Sequence, residues 1–235
     1  VLISNGYAAS LAEPKFIAQM VYAVVTSVNA SFERALGRQV ILGLGCEDPE
    51  KVGVMTLNPW AAEEKQAWYD RRTNTLNFGF FRSVTDSPGY SPGSILFSAL
   101  SHDVIVHEFC HAVLDSISPN FVDPVHVDVL AFHEAYADLI AIFQRFGYVE
   151  VVNDEVGRTD GKLSGFELLN SLAKSFAQSA GYGSTLRAIS GSALYGRAPD
   201  EPHQRGEVLV QAVYRAFVSV ADRRIANVIS IATGG

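Results

Sequence analysis

Between Pro14 and Leu36 the apolar residues Phe16, Ile17, Met20, Val21, Val24, Val25 and Val28 recur at i, i+3 and i+4, which predicts one amphipathic helix with Gly37 as its C-cap. The period is lost over 38–60, where Val40, Ile41, Leu42, Val52, Val54 and Met55 fall between Gly and Pro breaks, as in short strands and loops. Ala67–Asp70 and Leu76–Phe81 flank the turn-prone Arg71, Arg72, Thr73 and Asn74, predicting a β-hairpin. After the Pro and Gly cluster at 88–93 a helical pattern runs from Ser94 to Ile117 and halts at Pro119. Further helices are predicted from Val125 to Phe146, from Gly165 to Ala180 and from Gly206 to Ala226, with no convincing strand beyond residue 93. The expected fold is α+β in a single domain, 1–235: an N-terminal part, 1–90, with a helix and a small mixed sheet, then a mostly helical part, 91–235.

With 235 residues, 48% of them hydrophobic and only 18% charged, the chain can bury a sizeable core, and this composition excludes a disordered protein. A net charge of -7, with no basic run longer than Arg71-Arg72 or Arg223-Arg224, gives no electrostatic basis for nucleic-acid binding. No stretch approaches the roughly 18 uninterrupted apolar residues of a membrane span, and no basic segment followed by an apolar one marks a signal peptide, so the chain reads as soluble. Compartment and oligomeric state stay open. Two cysteines make no disulfide framework, and Cys110, inside an apolar helical pattern, reads as a buried thiol.

The chemistry begins at His107, Glu108, Phe109, Cys110 and His111, an HExxH pattern on a predicted helix. Helical geometry puts His107 and His111 one turn apart on one face, so that both imidazoles can reach one Zn2+, with Glu108 beside them as general base for an activated water. Catalytic zinc normally takes three protein ligands. The extension HExxHxxGxxH is excluded, because Leu114 stands at the glycine position and Ile117 at the third histidine.

On the following helix Glu134 and Asp138 stand at i, i+4 amid Leu130, Leu139, Ile142 and Phe143. Two carboxylates on so apolar a helix call for a cation: Glu134 as third ligand and Asp138 as acceptor for a histidine N–H would satisfy both. His133 is a rival ligand but points about 100° away from Glu134. His102 and His126 read as surface or cap residues.

In these two segments, SHDVIVHEFCHAVLDSI at 101–117 and AFHEAYADLIAIFQRF at 131–146, the chain resembles the thermolysin-like gluzincin zinc metallopeptidases, whose HExxH helix is followed by a helix bearing ExxxD. The resemblance implies a zincin catalytic domain with the active-site helix at the junction of the two parts. It implies one Zn2+ on His107, His111 and Glu134, with Glu108 as base, Asp138 holding His107, and Asp115 as the carboxylate that follows the second ligand. AWYDRRTNTLNFGFF at 67–81 is similar to the family's edge-strand hairpin, making Ala67, Trp68 and Tyr69 the backbone expected to pair with an extended peptide or protein substrate. DEPHQRGEVLVQAVYRAF at 200–217 looks like the segment that presents a histidine to the oxyanion, which implies His203 as electrophile, with Arg205 and Asp200 as further oxyanion or orienting groups.

The chain departs from larger family members in lacking a tyrosine in the connection from His111 to Glu134, where Phe121 is the nearby aromatic residue. It also shows no dense carboxylate cluster of the calcium-binding kind: Asp154, Glu155 and Asp160 are sparse, and Asp123 and Asp128 isolated. The expected activity is metalloendopeptidase-like hydrolysis. The alternatives are a zinc-stabilised peptide-binding domain without turnover, or one segment of a larger peptidase.

Overall fold

The computed structural model describes residues 6–84, 86, 91–123, 125–159, 171–172, 187–188 and 193–233. Its first helix, α1 (Pro14–Leu36), has the bounds the apolar period predicts. Pro14 starts it where no N–H is needed, the Glu13 carboxylate accepts from Lys15 N, and Gly37 closes it at φ 66°. Ile17, Val21 and Val28 on its inner face are almost fully buried, each worth about 1.5–3 kcal/mol.

Four strands form the mixed sheet: β1 (Thr56–Ala62), β2 (Ala67–Asp70), β3 (Thr75–Arg82) and β4 (Ile95–Phe97). β3 is central, parallel to β1 and antiparallel to β2 and β4. Pro59 falls where the β1–β3 register shifts, consistent with a residue that cannot donate to the ladder. The hairpin turn rests on Asn74 at φ 48°, a conformation asparagine tolerates, and on Asp70 Oδ1, which accepts from the N–H of Arg72 at 2.9 Å.

The sequence pattern starts a helix at Ser94, but the chain is still extended over Ile95–Phe97, passes through a short 3-10 turn, and becomes helical only at His102. The short apolar run reads equally as strand or helix; the free end of β3 decides it, with Phe97, Leu96 and Ile95 pairing with Phe80, Phe81 and Arg82. Ser98 then donates to the Gly79 carbonyl at 2.9 Å, pinning the entry to the next helix against the sheet.

The helices that follow are α2 (His102–Ile117), α3 (Val127–Gln144), α4 (Val149–Thr159) and α5 (Pro202–Thr233). α3 packs between α2 and α5, and α2 also meets α1 and β2. The sequence pattern misses α4, whose Asn153, Gly157 and Thr159 are weak helix formers. α5 begins four residues before the expected Gly206, because Pro202 suits the first helical position and Glu201 accepts from the N–H of Gln204 at 2.8 Å.

A further correction concerns β5 (Ser171–Leu172) and β6 (Arg187–Ala188), an antiparallel pair where no strand was expected; two-residue strands carry no periodicity to read. The rest of the helix expected over 165–180 lies outside the described residues. Buried residues of α1, β3, α2, α3 and α5 belong to one apolar cluster, so the core crosses the compositional change near residue 90. Among the described residues no helix is long and apolar enough to cross a membrane.

Candidate metal centre

α2 and α3 are built to face one another: α2 buries nearly its whole surface yet leaves Glu108 and His111 only half-buried on the side toward the site. The His107 and His111 rings stand edge to face at 4.7 Å, and their Nε2 atoms are 3.1 Å apart. From α3, Glu134 brings Oε2 to 3.3 Å from His107 Nε2 and Oε1 to 3.8 Å from His111 Nε2. Donors bonded at about 2.0–2.1 Å around a tetrahedral zinc stand about 3.3 Å apart. A triangle with edges of 3.1, 3.3 and 3.8 Å therefore fits one face of such a site, and its two imidazoles and one carboxylate are the donor set zinc takes. The Glu108 carboxylate joins the group, its ligand atom and those of His107 and His111 all lying within 4.8 Å of one another.

The other nitrogen of each imidazole is also engaged. His107 Nδ1 lies 2.7 Å from Asp138 Oδ1, and both side chains are buried. A carboxylate can only accept, so Asp138 sets the proton on Nδ1 and leaves Nε2 to face Glu134. Burial opposes charge on His107, but the Asp138 and Glu134 carboxylates outweigh it and hold its pKa up at about 10. Burial likewise opposes charge on Glu134, yet His107 above all, with His111 and His203, holds it well below the usual carboxylate range.

His111 Nδ1 lies 2.6 Å from His133 Nδ1, with the two rings stacked at 4.6 Å. His133, weighed from the sequence as a rival ligand, thus stands behind His111 rather than beside Glu134, and burial depresses its pKa. Nothing in the local spacing indicates this role, which depends on how α2 and α3 cross.

His203, in the first turn of α5, reaches the same centre with Nε2 3.2 Å from Glu134 Oε2. Its partner at Nδ1 is Glu201, at 2.7 Å, and not the expected Asp200. Asp200 instead pairs with Arg205 Nη1 at 2.9 Å. Arg205 is engaged further by Asp128 and lies over the Tyr195 ring at 4.8 Å, so its guanidinium clamps the starts of α3 and α5 rather than joining His203 at Glu134. Both differences arise because a helix start turns successive side chains by about 100°, which a linear reading through two prolines does not resolve.

Ala67, Trp68 and Tyr69 form β2, half-buried and paired on one side with β3; among the described residues no strand pairs with its other side. Asp115, placed by resemblance after the second ligand, is turned toward this hairpin: it accepts from the Tyr69 hydroxyl at 3.1 Å and pairs with Arg71 Nε at 3.2 Å. Gly45 makes room for the Arg71 guanidinium, which a Cβ there would overlap. In the sequence Arg71 stands out only as one of a basic pair in a turn.

The remaining histidines lie outside the centre. His126 caps α3 by accepting from Asp128 N at 3.1 Å, and His102 Nε2 meets the Tyr148 hydroxyl at 3.1 Å. Cys110 is fully buried, as read. Of the scattered acids, Asp128 is engaged by Arg205, Asp154 and Glu155 both pair with Arg158, and Asp160 lies outside the described residues.

No family model, no curated protein and no solved structure matches this chain.

Proposed function

We propose that the chain is a zinc-dependent peptidase of the thermolysin-like gluzincin kind, hydrolysing peptide bonds in substrates that bind in extended form. The observation that carries this reading is the convergence of His107 Nε2, His111 Nε2 and the Glu134 carboxylate at 3.1–3.8 Å, with Glu108 within reach of the same point. Held by His107, His111 and Glu134, zinc would polarise the scissile carbonyl and lower the pKa of water toward neutrality.

The residues around that centre then have distinct tasks. Glu108 takes the proton of the attacking water and passes it to the leaving amine. His203 presents Nε2 beside Glu134, oriented at Nδ1 by Glu201, and donates to the oxyanion as negative charge builds on the carbonyl oxygen. Asp138 and His133 keep the His107 and His111 rings turned inward. The side of β2 that no described strand pairs with offers backbone groups to an extended peptide, which favours cleavage within a chain over recognition of its ends.

A quenched-fluorescence peptide pool incubated with the zinc-loaded chain tests this directly, beside Glu108→Gln at equal zinc content. Cleavage by the wild type alone is expected. Equal zinc in both with cleavage by neither would instead favour a binding domain in which the metal joins α2 to α3.

A further inference from the structure

We infer that Gly206 is a positioning residue of this site: the absence of a side chain there seats the first turn of α5 against α3 at the height that lets His203 reach Glu134. The inference rests on the peptidase reading above. Gly206 is buried one turn after His203, in a helix where glycine is among the poorest formers, and its φ is not in the left-handed region that would call for it. The reason is space. A Cβ at 206 would stand 2.8 Å from the Ala131 carbonyl oxygen, 3.3 Å from Ala135 N and 3.5 Å from Glu134 Cβ.

The first two are backbone atoms, and in an α-helix they are each other's hydrogen-bond partners, bracketing Glu134. They cannot swing aside as a side-chain tip could. A methyl group would therefore lift the start of α5 off α3, at the point where His203 Nε2 meets Glu134 Oε2 at 3.2 Å. Arg205, next in the chain, ties the same turn down through Asp128 and Asp200. Gly206 sets how close the two helices come, and the Arg205–Asp128 pair keeps them there.

Gly206→Ala should lower kcat about 10- to 100-fold, the usual cost of misplacing a reacting group by about 1 Å, with KM and zinc affinity changed less than about threefold. If Gly206 acts through His203, the substitution should cost nothing further in a His203→Ala background. An undiminished loss in that background, or no loss in the wild type, overturns the inference. A crystal structure of Gly206→Ala gives a readout independent of turnover: the His203–Glu134 separation should lengthen, and an unchanged separation overturns the inference even if the wild type proves to bind no zinc and cleave no peptide, which would remove the peptidase reading by itself. Should Gly206→Ala not fold, Asp128→Asn loosens the same turn without adding volume, and its loss of kcat should likewise vanish in the His203→Ala background; if it does not, the inference falls.

Discussion

The Tyr69 hydroxyl donates to Asp115 Oδ2 across 3.1 Å, tying the edge strand β2 to α2 one turn beyond His111. Arg71 closes the other side of the same buried carboxylate at 3.2 Å. Burial raises the Asp115 pKa, and Arg71 and Tyr69 work against that rise. One carboxylate thereby fixes the height of β2 relative to the histidines.

Removing the hydroxyl with Tyr69→Phe takes a donor from a buried acceptor, so unfolding free energy should fall by about 1–3 kcal/mol. The loosened strand should raise KM for extended peptides while zinc affinity stays unchanged. Denaturant titration and steady-state kinetics on the same sample check both, and an unchanged KM would disconnect the pair from substrate binding.

Glu134 and Glu108 should separate binding from chemistry. Glu134→Ala removes one edge of the donor triangle and should abolish stoichiometric zinc, read by metal analysis after dialysis. Glu108→Gln should retain one zinc and lose about 10²–10⁴-fold in kcat. Full zinc retention by Glu134→Ala would remove it as a ligand.

Asp138 acts through His107. Asp138→Asn keeps the shape but replaces a charged acceptor by a neutral amide, so zinc should bind about 10- to 100-fold more weakly in chelator competition. Unaltered zinc affinity would reduce the pair to a packing contact.

The metal-free chain should have a defined pH window of stability. His107 is raised from 6.5 to about 10 in the folded chain, so its contribution is fully present below pH 6.5 and is lost as pH rises toward 10. Glu134 is depressed from 4.5, so its contribution is present above pH 4.5 and is lost as pH falls through its folded value. The melting temperature of chelator-treated protein should therefore plateau between about pH 4.5 and 6.5 and decline above it. Zinc affinity should rise over that same upper range, because the metal displaces the His107 proton. A melting temperature that climbs from pH 6.5 to 9 without metal would contradict the raised value.

Where a feature depends on neighbours three or four residues apart, it was legible before the structure. The bounds of α1, the i, i+4 pair His107 and His111 and the i, i+4 pair Glu134 and Asp138 follow from helical period alone. The β2–β3 hairpin was legible for the same reason, its turn being local. Strand β4, by contrast, is extended only because the end of β3 offers it hydrogen bonds, and α4 forms within a sequence of low helical propensity.

By itself, then, the sequence determined an α+β chain with a helix that presents two imidazoles and an acid on one face, and a second helix that presents two carboxylates. Only the tertiary structure decided which groups meet: His133 behind His111, Glu201 rather than Asp200 on His203, Asp115 on Tyr69 rather than beside the histidines, and a glycine that lets α5 approach α3. The physical reason is range. Backbone geometry fixes directions within a helix to a few ångströms, whereas contacts between residues 22, 46 or 69 positions apart depend on how buried faces pack, and that packing is a property of the whole core.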